Sequence, residues 1–456
     1  MDTAVILAAG QGRKMWPYSA TRNKCLLPIA NQPLICRTVS MLEKLGIKRI
    51  AVVTGYRPQG VRSALRGHKD LLFVESKGCG TASSLLSAWD AVGTCDLLVL
   101  YGDVLVAEED VRELLGRAKA AQSPAALVRS LGQEPPGDWL CAQVSGDVIE
   151  YVLGHPRDSV SHRFCGAFAL PQSFIPYLRS NPGRMSAVQV AMMAPDEGQL
   201  EDSLQLAIED GLKVAACESK SLFCDLDKPW HILEANSAWL KYEGSRLESD
   251  RIGKGTVISD GATIEGRIVT GSDCMIGPGV FVEGDLWLGD NSTITQGAII
   301  ESNVAIGRRC TVRRYAQIES GTSVGDDGFV GHCAEIGGVF FRRAWAYHYG
   351  EYWGVIGECC DLGAATVCGT LRFDDAQTVH RVDGRREIPR TGANATYLGD
   401  YVRTGVNTII MPGVKVGPYS VLGAGTIVSE DVAEKTLIYV RQEHEVRSWG
   451  PEKYGW

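Results

Sequence analysis

From Ile252 to Ile336 an aliphatic residue returns at every sixth position. Ile252, Ile258, Ile264, Ile276, Val282, Leu288, Ile294, Ile300, Ile306, Val312, Ile318, Val324, Val330 and Ile336 share one phase, and Thr270 is the single gap. Glycine follows many of them, as at Gly253, Gly277, Gly289, Gly307, Gly325, Gly331 and Gly337. Neither a lone strand nor a helix has a period of six. One inward aliphatic, a small residue and a turn per hexad mark the left-handed parallel β-helix of hexapeptide repeats, with three hexads to a triangular coil. The pattern predicts such a β-helix over residues 251–440 and a tail over 441–456. The phase lapses between Phe340 and Val355, among Phe341, Trp345, Tyr347, Tyr352 and Trp353. It resumes at Ile356 and Leu362, and returns after a second break through Leu398, Thr404, Ile410, Val416, Leu422 and Val428. Both breaks, 341–355 and 371–394, are expected to project as loops and to meet a neighbouring subunit.

The first half is of another kind. Ala4 to Leu7 is an apolar run of buried-strand type that opens into Ala8, Ala9, Gly10 and Gly12, where backbone N–H groups can approach phosphate. Arg13, Lys14 and Lys24 follow, with Pro17 and Pro28 stiffening the path between them. Met15 stands where the third glycine of a dinucleotide fingerprint belongs, and no G-K-[ST] closes a P-loop, so both of those readings fail. Leu34 to Leu45 has helical spacing and Ile47 to Thr54 reads as a strand, which together suggest a parallel α/β order. Ligands of such sheets sit at the carboxyl ends of strands. Two strands end there in acid: Cys95 to Gly102 before Asp103, and Phe223–Cys224 before Asp225. Two aspartates with triphosphate oxygens suffice to hold Mg²⁺. Pro229 to Leu247 is helical in pattern, giving a domain over 1–228 and a linker over 229–250.

Leu7 to Gly10, Gly12, Met15, Pro17, Lys24, Leu26, Leu27 and Pro28 resemble the signature of the sugar-phosphate nucleotidyltransferases, L-A-A-G-x-G-T-R-M-x-P followed by P-K-x-L-L-P. Arg13 stands for its Thr or Ser, Lys14 for its Arg and Asn23 for its second Pro. With the β-helix, the whole chain is similar to the bifunctional N-acetylglucosamine-1-phosphate uridylyltransferase and glucosamine-1-phosphate acetyltransferase family. The resemblance implies a Rossmann-like mixed α/β sheet and transfer of a nucleotidyl group onto a sugar 1-phosphate or similar phosphorylated compound. It assigns Asp103 and Asp225 to Mg²⁺ and Lys24, Arg13 and Lys14 to the phosphates. Leu7, Ala8, Ala9, Gly10, Gly12, Gly80 and Thr81 fall to the nucleotide. Glu75 replaces the glutamine of uridylyltransferases, and as an acceptor it suits the donors of guanine or cytosine better than uracil. On the acceptor side Gly102, His155, Gly166 and Glu201 are the candidates, although Gly154–His155–Pro156 lacks the expected glutamate and lysine. In the β-helix His348 is the nearest candidate for an acyl-transfer base, and acetyl-CoA would be needed only for that activity. Glu319, Gly337 and Thr370 depart there from the family's site.

The net charge of −8 argues against nucleic acid as a partner. No apolar run approaches the roughly 20 residues of a membrane span. The 14 cysteines include no C-x-x-C pair and read as reduced thiols of a cytoplasmic protein. A homotrimer is the assembly the resemblance implies. A nucleotide-binding trimeric scaffold without catalysis is the competing reading, on the strength of the altered loop at Arg13 and Lys14.

Overall fold

The computed structural model describes residues 1–183 and 197–454. The hexads wind into a parallel β-helix of three walls in which strands of successive coils pair 18 residues apart, as Val257 with Met275, Met275 with Thr293 and Thr293 with Thr311. Ile276, Ile294, Val312 and Val330 point inward from one wall, Val282, Ile300, Ile318 and Ile336 from the second, and Leu288, Ile306 and Val324 from the third. Each buried aliphatic contributes about 1.5–3 kcal/mol, which stabilises strands only two or three residues long. Thr270, the gap in the pattern, faces inward and accepts the Gly253 amide at 3.0 Å.

The segment 341–355 does not project. Its residues form a coil, but a shorter one: Phe329 pairs with Trp345, Ile336 with Tyr352 and Phe340 with Ile356, each 16 residues on. Two residues are lost at one corner, where Gly337–Gly338 and then Gly354 replace a full turn. Only glycine fits there, since Gly338 has φ +102° and a Cβ on it would lie 2.1 Å from the Gly354 carbonyl oxygen. Tyr352 and Phe341 are buried, so two of the aromatic residues at the break fill space inside the molecule. The second break lies at the same corner. There the spacing widens to 42 residues, from Val355 to Tyr397, and the insertion carries a hairpin, His380–Val382 with Arg385–Glu387.

The linker helix, His231–Ser245, runs along that corner. Its Gly244 passes Asp285 and Asn303, Ser237 meets Gly321, and Leu233 fills the space beside Gly338 and Gly392. Asn236, fully buried, donates to the Gly321 carbonyl at 2.8 Å and accepts from Ser323 Oγ and the Ala30 amide.

The N-terminal domain has a nine-stranded mixed sheet. Its parallel half orders Leu71–Glu75, Arg49–Thr54, Thr3–Ala8 and Leu97–Tyr101, and His162–Leu170 then runs antiparallel to the last of these. A shared core joins Met15, Tyr18, Leu27 and Ile29 of this domain to Trp230 of the linker and to Val339, Phe341 and Val355 of the β-helix. Tyr18 donates to the Val355 carbonyl at 2.7 Å, and Arg22 and Thr21 both bind Asp400. The loop carrying the candidate cations is therefore fixed to the β-helix. No helix among the described residues is long and apolar enough to cross a membrane.

Candidate active site

The first strand ends at Ala8, and the chain beyond it must pass close to two neighbours. Gly102 donates its amide to the Leu7 carbonyl at 2.8 Å, and a Cβ at Gly102 would stand 2.9 Å from that oxygen. Asp103 is thereby held at the carboxyl end of the first strand. Directly after it Val104–Val106 pairs antiparallel with Phe223–Asp225, so that Val104 faces Asp225, and the Leu226 amide donates to the Asp103 carbonyl at 3.0 Å. Two acids far apart in sequence meet through this two-stranded ribbon. Gly166, at φ +66°, packs against Tyr101 and Val104 where a Cβ would clash at 2.9–3.0 Å, and so supports the ribbon from beneath.

Lys24 enters from the other side. Its ammonium lies 2.6 Å from Asp103 Oδ2 and 3.8 Å from Asp227 Oδ1. The turn that aims it is built by Asn23, whose amide donates to the Ala8 and Tyr56 carbonyls at 3.0 and 2.8 Å and whose oxygen takes the Cys25 amide. Proline could make none of the three bonds, so the departure at Asn23 ties the glycine loop directly to the lysine turn.

Lys14 and Arg13 separate. Lys14 pairs with Asp227 at 3.1 Å, whereas Arg13 lines a cavity of about 510 Å³ with Leu7, Ala9, Gly10, Gly80 and Thr81. Asp103 and Tyr101 stand at the same cavity, and Gly12 and Ala8 lie with Lys24 around a small recess beside it. Thr81, which opens the helix Thr81–Val92, accepts the Leu200 amide at 2.7 Å.

Burial raises the Asp225 carboxyl to about 6, and Asp103 adds to the effect against the pull of Lys24. Burial also acts on Asp227, but Lys24 and Lys14 outweigh it and hold that carboxyl at about 2. Burial opposes the charge on Lys24, yet Asp103, Asp227 and Asp225 hold it firmly protonated. Two lysines thus face three aspartates, one of which gives up its proton only near neutrality. A divalent cation placed on Asp103 and Asp225 would relieve that repulsion, and oxygen donors are those Mg²⁺ prefers. No cluster of three or more His, Cys, Asp or Glu is arranged as a metal site among the described residues.

Other expectations fall away from this centre. Glu75 ends its strand exposed and outside the cavity, which is lined instead by its neighbour Ser76 with Gly78 and Ser84. Glu201 is buried and accepts the Tyr101 hydroxyl at 2.7 Å, a bond that spends it on the fold. His155 is exposed, with Nδ1 3.1 Å from the Gly137 carbonyl oxygen. His348 lies in the β-helix, stacked on His332 with ring centroids 4.8 Å apart and edge-on to Tyr349.

Arg163 and Asp227 join the site without having been assigned to it. Arg163 is buried, 2.7 Å from Glu134 and 3.5 Å from Asp225, with its guanidinium over the Trp139 ring at 3.2 Å. Among the described residues its Nε and Nη2 have no hydrogen-bond partner. Asp227 was visible in sequence as the second acid of Asp225–Leu226–Asp227. Nothing in the spacing marked Arg163.

Residues 4–172 match the family model for the MobA-like NTP transferase domain. A protein of Methanococcus vannielii named bifunctional protein GlmU is 28% identical over 455 residues, covering 96% of this chain and 98% of that one. The bifunctional sugar-1-phosphate nucleotidylyltransferase/acetyltransferase of Sulfurisphaera tokodaii is 25% identical, over 94% of this chain and 98% of its own. A solved UDP-glucose pyrophosphorylase in complex with UDP-glucose aligns at a TM-score of 0.46 and 18% identity, over 53% of this chain and 99% of that one. By its N-terminal domain model, its near full-length relatives and its two-part architecture, the chain carries a MobA-like NTP transferase domain ahead of a C-terminal parallel β-helix and is similar over nearly its whole length to the bifunctional nucleotidylyltransferase/acetyltransferase proteins.

Proposed function

We propose that the N-terminal domain joins a nucleoside triphosphate to a sugar 1-phosphate, or a similar phosphorylated compound, with release of pyrophosphate. The observation that carries this is Lys24 set between Asp103 and Asp227 in the glycine-lined recess beside the larger cavity. A phosphate oxygen of the acceptor attacks the α-phosphorus, the bond from that phosphorus to the bridging oxygen breaks, and pyrophosphate leaves. The work of the protein is to position the reactants and neutralise charge. Gly10, Gly80 and Thr81 cradle the nucleotide, and Arg13 meets the departing phosphates. Lys24 exchanges its carboxylate partners for the phosphates that approach each other, while Lys14 keeps Asp227 charged and in place. Asp103 and Asp225 would hold Mg²⁺, which supplies positive charge to the phosphate oxygens when bound. Arg163, beside Asp225, is the cation placed to orient the acceptor, in the absence of the family's glutamate and lysine at Gly154–His155. Pyrophosphate release, measured over the ribonucleoside triphosphates and dTTP against a panel of sugar 1-phosphates with Mg²⁺, tests the proposal. Silence across the panel from a protein that binds nucleotide would favour the scaffold reading.

An acyl-transfer activity of the β-helix is the second reading, favoured by the His332–His348 stack at an outer corner. It would use acetyl-CoA and place His348 as the base. A homotrimer fits the exposed apolar side chains Leu371 and Phe373 on the insertion, and Ile427 and Leu437 on the outer walls. The fourteen free cysteines suit a reducing, cytoplasmic setting.

A further inference from the structure

A second group of cations lies away from the aspartates. A cavity of about 390 Å³ opens on the reverse side of the Val104–Val106 strand, between the helix Leu34–Lys44 and the last turns of the linker helix. Arg37 forms its inner wall. This guanidinium donates through Nε and Nη2 to the Ile29 carbonyl at 2.9 and 2.6 Å, and through Nη2 to that of Ala30 at 2.9 Å. It lies 4.2 Å from the centre of the Trp239 ring. Among the described residues no carboxylate is within ion-pair distance of it, and its Nη1 makes no hydrogen bond. Burial depresses its pKa to about 10, the mark of a cation held without adequate compensation.

Lys44 and Arg251 line the same cavity, both exposed and, among the described residues, without an ion pair. Arg246 is shared with Glu109 at 3.2 Å. Of the two acids on the lining, Glu108 is bound by Arg112 at 2.5 Å, which leaves Glu243 alone against Arg37, Lys44 and Arg251. The volume falls within the roughly 300–1,000 Å³ of small-ligand sites, and the walls combine converging cations with the apolar faces of Trp239, Tyr242 and Met41.

We propose that this cavity is a second ligand site, separate from the reaction centre, for a phosphorylated small molecule of about hexose-phosphate size. Arg37 and Lys44 come from the N-terminal domain and Arg251 from the start of the β-helix, so the phosphate bridges the two. Its floor, Val104–Val106, begins at the residue that follows Asp103 and pairs with Asp225. Occupancy therefore bears on the ribbon that holds both acids, which makes the site regulatory. The proposal goes beyond the nucleotidyl-transfer reading and is independent of it.

Calorimetric titration with glucose 6-phosphate and with inorganic phosphate tests it, since neither probe carries the triphosphate that the reaction centre is built to cradle. The full-length protein should bind at least one of them. The double variant Lys44→Glu/Arg251→Glu, altered only at exposed positions, should bind at least about tenfold more weakly, a loss of about 1.4 kcal/mol. Lys24→Gln, changed at the reaction centre, should bind as the parent does. The proposal is overturned if neither probe binds the parent up to about 10 mM, a threshold near 3 kcal/mol of binding free energy. It is equally overturned if affinity follows Lys24→Gln and ignores the double variant. Pyrophosphate release by the double variant without any probe should match the parent, so failure of the transfer chemistry would appear in that assay and not in the titrations.

Discussion

Replacing Lys24 by Met removes the half-buried cation that, among the described residues, reaches two of the three aspartates. At 2.6 Å from Asp103 and an effective dielectric near 20 the attraction is about 6 kcal/mol, and Asp227 at 3.8 Å adds about 4. Most of that offsets the desolvation of the groups themselves, so the net loss on removing one partner of such a buried cluster is about 3–5 kcal/mol. Asp225 would then stand beside Asp103 with no ammonium between them, and its carboxyl, already raised, would take up a proton at higher pH than in the parent. A divalent cation could take the vacated role. Urea unfolding at pH 7.5 without Mg²⁺ should therefore show Lys24→Met destabilised by about 3 kcal/mol or more, and millimolar Mg²⁺ should restore the variant by more than it stabilises the parent, by linkage. Turnover should fall about a hundredfold or more even with Mg²⁺ present, because a methionine cannot meet phosphate. A variant as stable as the parent, or one whose deficit Mg²⁺ leaves untouched, would refute the charge coupling argued for the cluster.

Three further outcomes are expected. Asn23→Ala strips the buried Ala8 and Tyr56 carbonyls of their donor and frees the Lys24 turn; chemical unfolding should register a loss of about 1–3 kcal/mol, with turnover reduced more than nucleotide affinity. His231 and His380 are both held neutral, chiefly by burial, at about 3 and about 4. Below about pH 6.5 the unfolded chain binds protons that these native imidazoles refuse, so their contribution is complete above that pH and fades as pH falls toward 4. Unfolding free energy should drop by about 3 kcal/mol between pH 6.5 and 5, and by about half of that when His380 is replaced by Gln. Arg163→Gln should raise KM for the phosphorylated acceptor at least tenfold (about 1.4 kcal/mol) while nucleotide affinity stays put; an equal change in both would reduce Arg163 to a structural role.

The β-helix was legible because every inward residue obeys one period, which leaves the register no freedom. The misreading came at Ile336 to Ile356, where the period falls from 18 to 16 at a single corner. A coil shortened by two residues looks like lost phase, and its aromatic side chains look like a loop. The glycines that allow the shortening face a linker helix whose position no local pattern discloses. Asp103 and Asp225 could be found in sequence because each ends a strand. Asn23 and Arg163 could not, since their roles depend on carbonyls and rings brought together by tertiary contact. Glu75 and Glu201 fell at or near suggestive spacings, but spacing does not say which way a side chain faces.

The measurement closest to the central claim follows the α-phosphorus. Incubation with nucleoside triphosphate labelled at that atom, Mg²⁺ and the sugar 1-phosphate that supports turnover should place all label in a nucleotide-sugar product and none in pyrophosphate. Asp103→Asn, tested alongside, should make at least about a thousandfold less product, or about 4 kcal/mol in the barrier, while remaining folded. Label recovered in free nucleoside monophosphate or diphosphate, or product formed by Asp103→Asn at the parent's rate, would contradict the account.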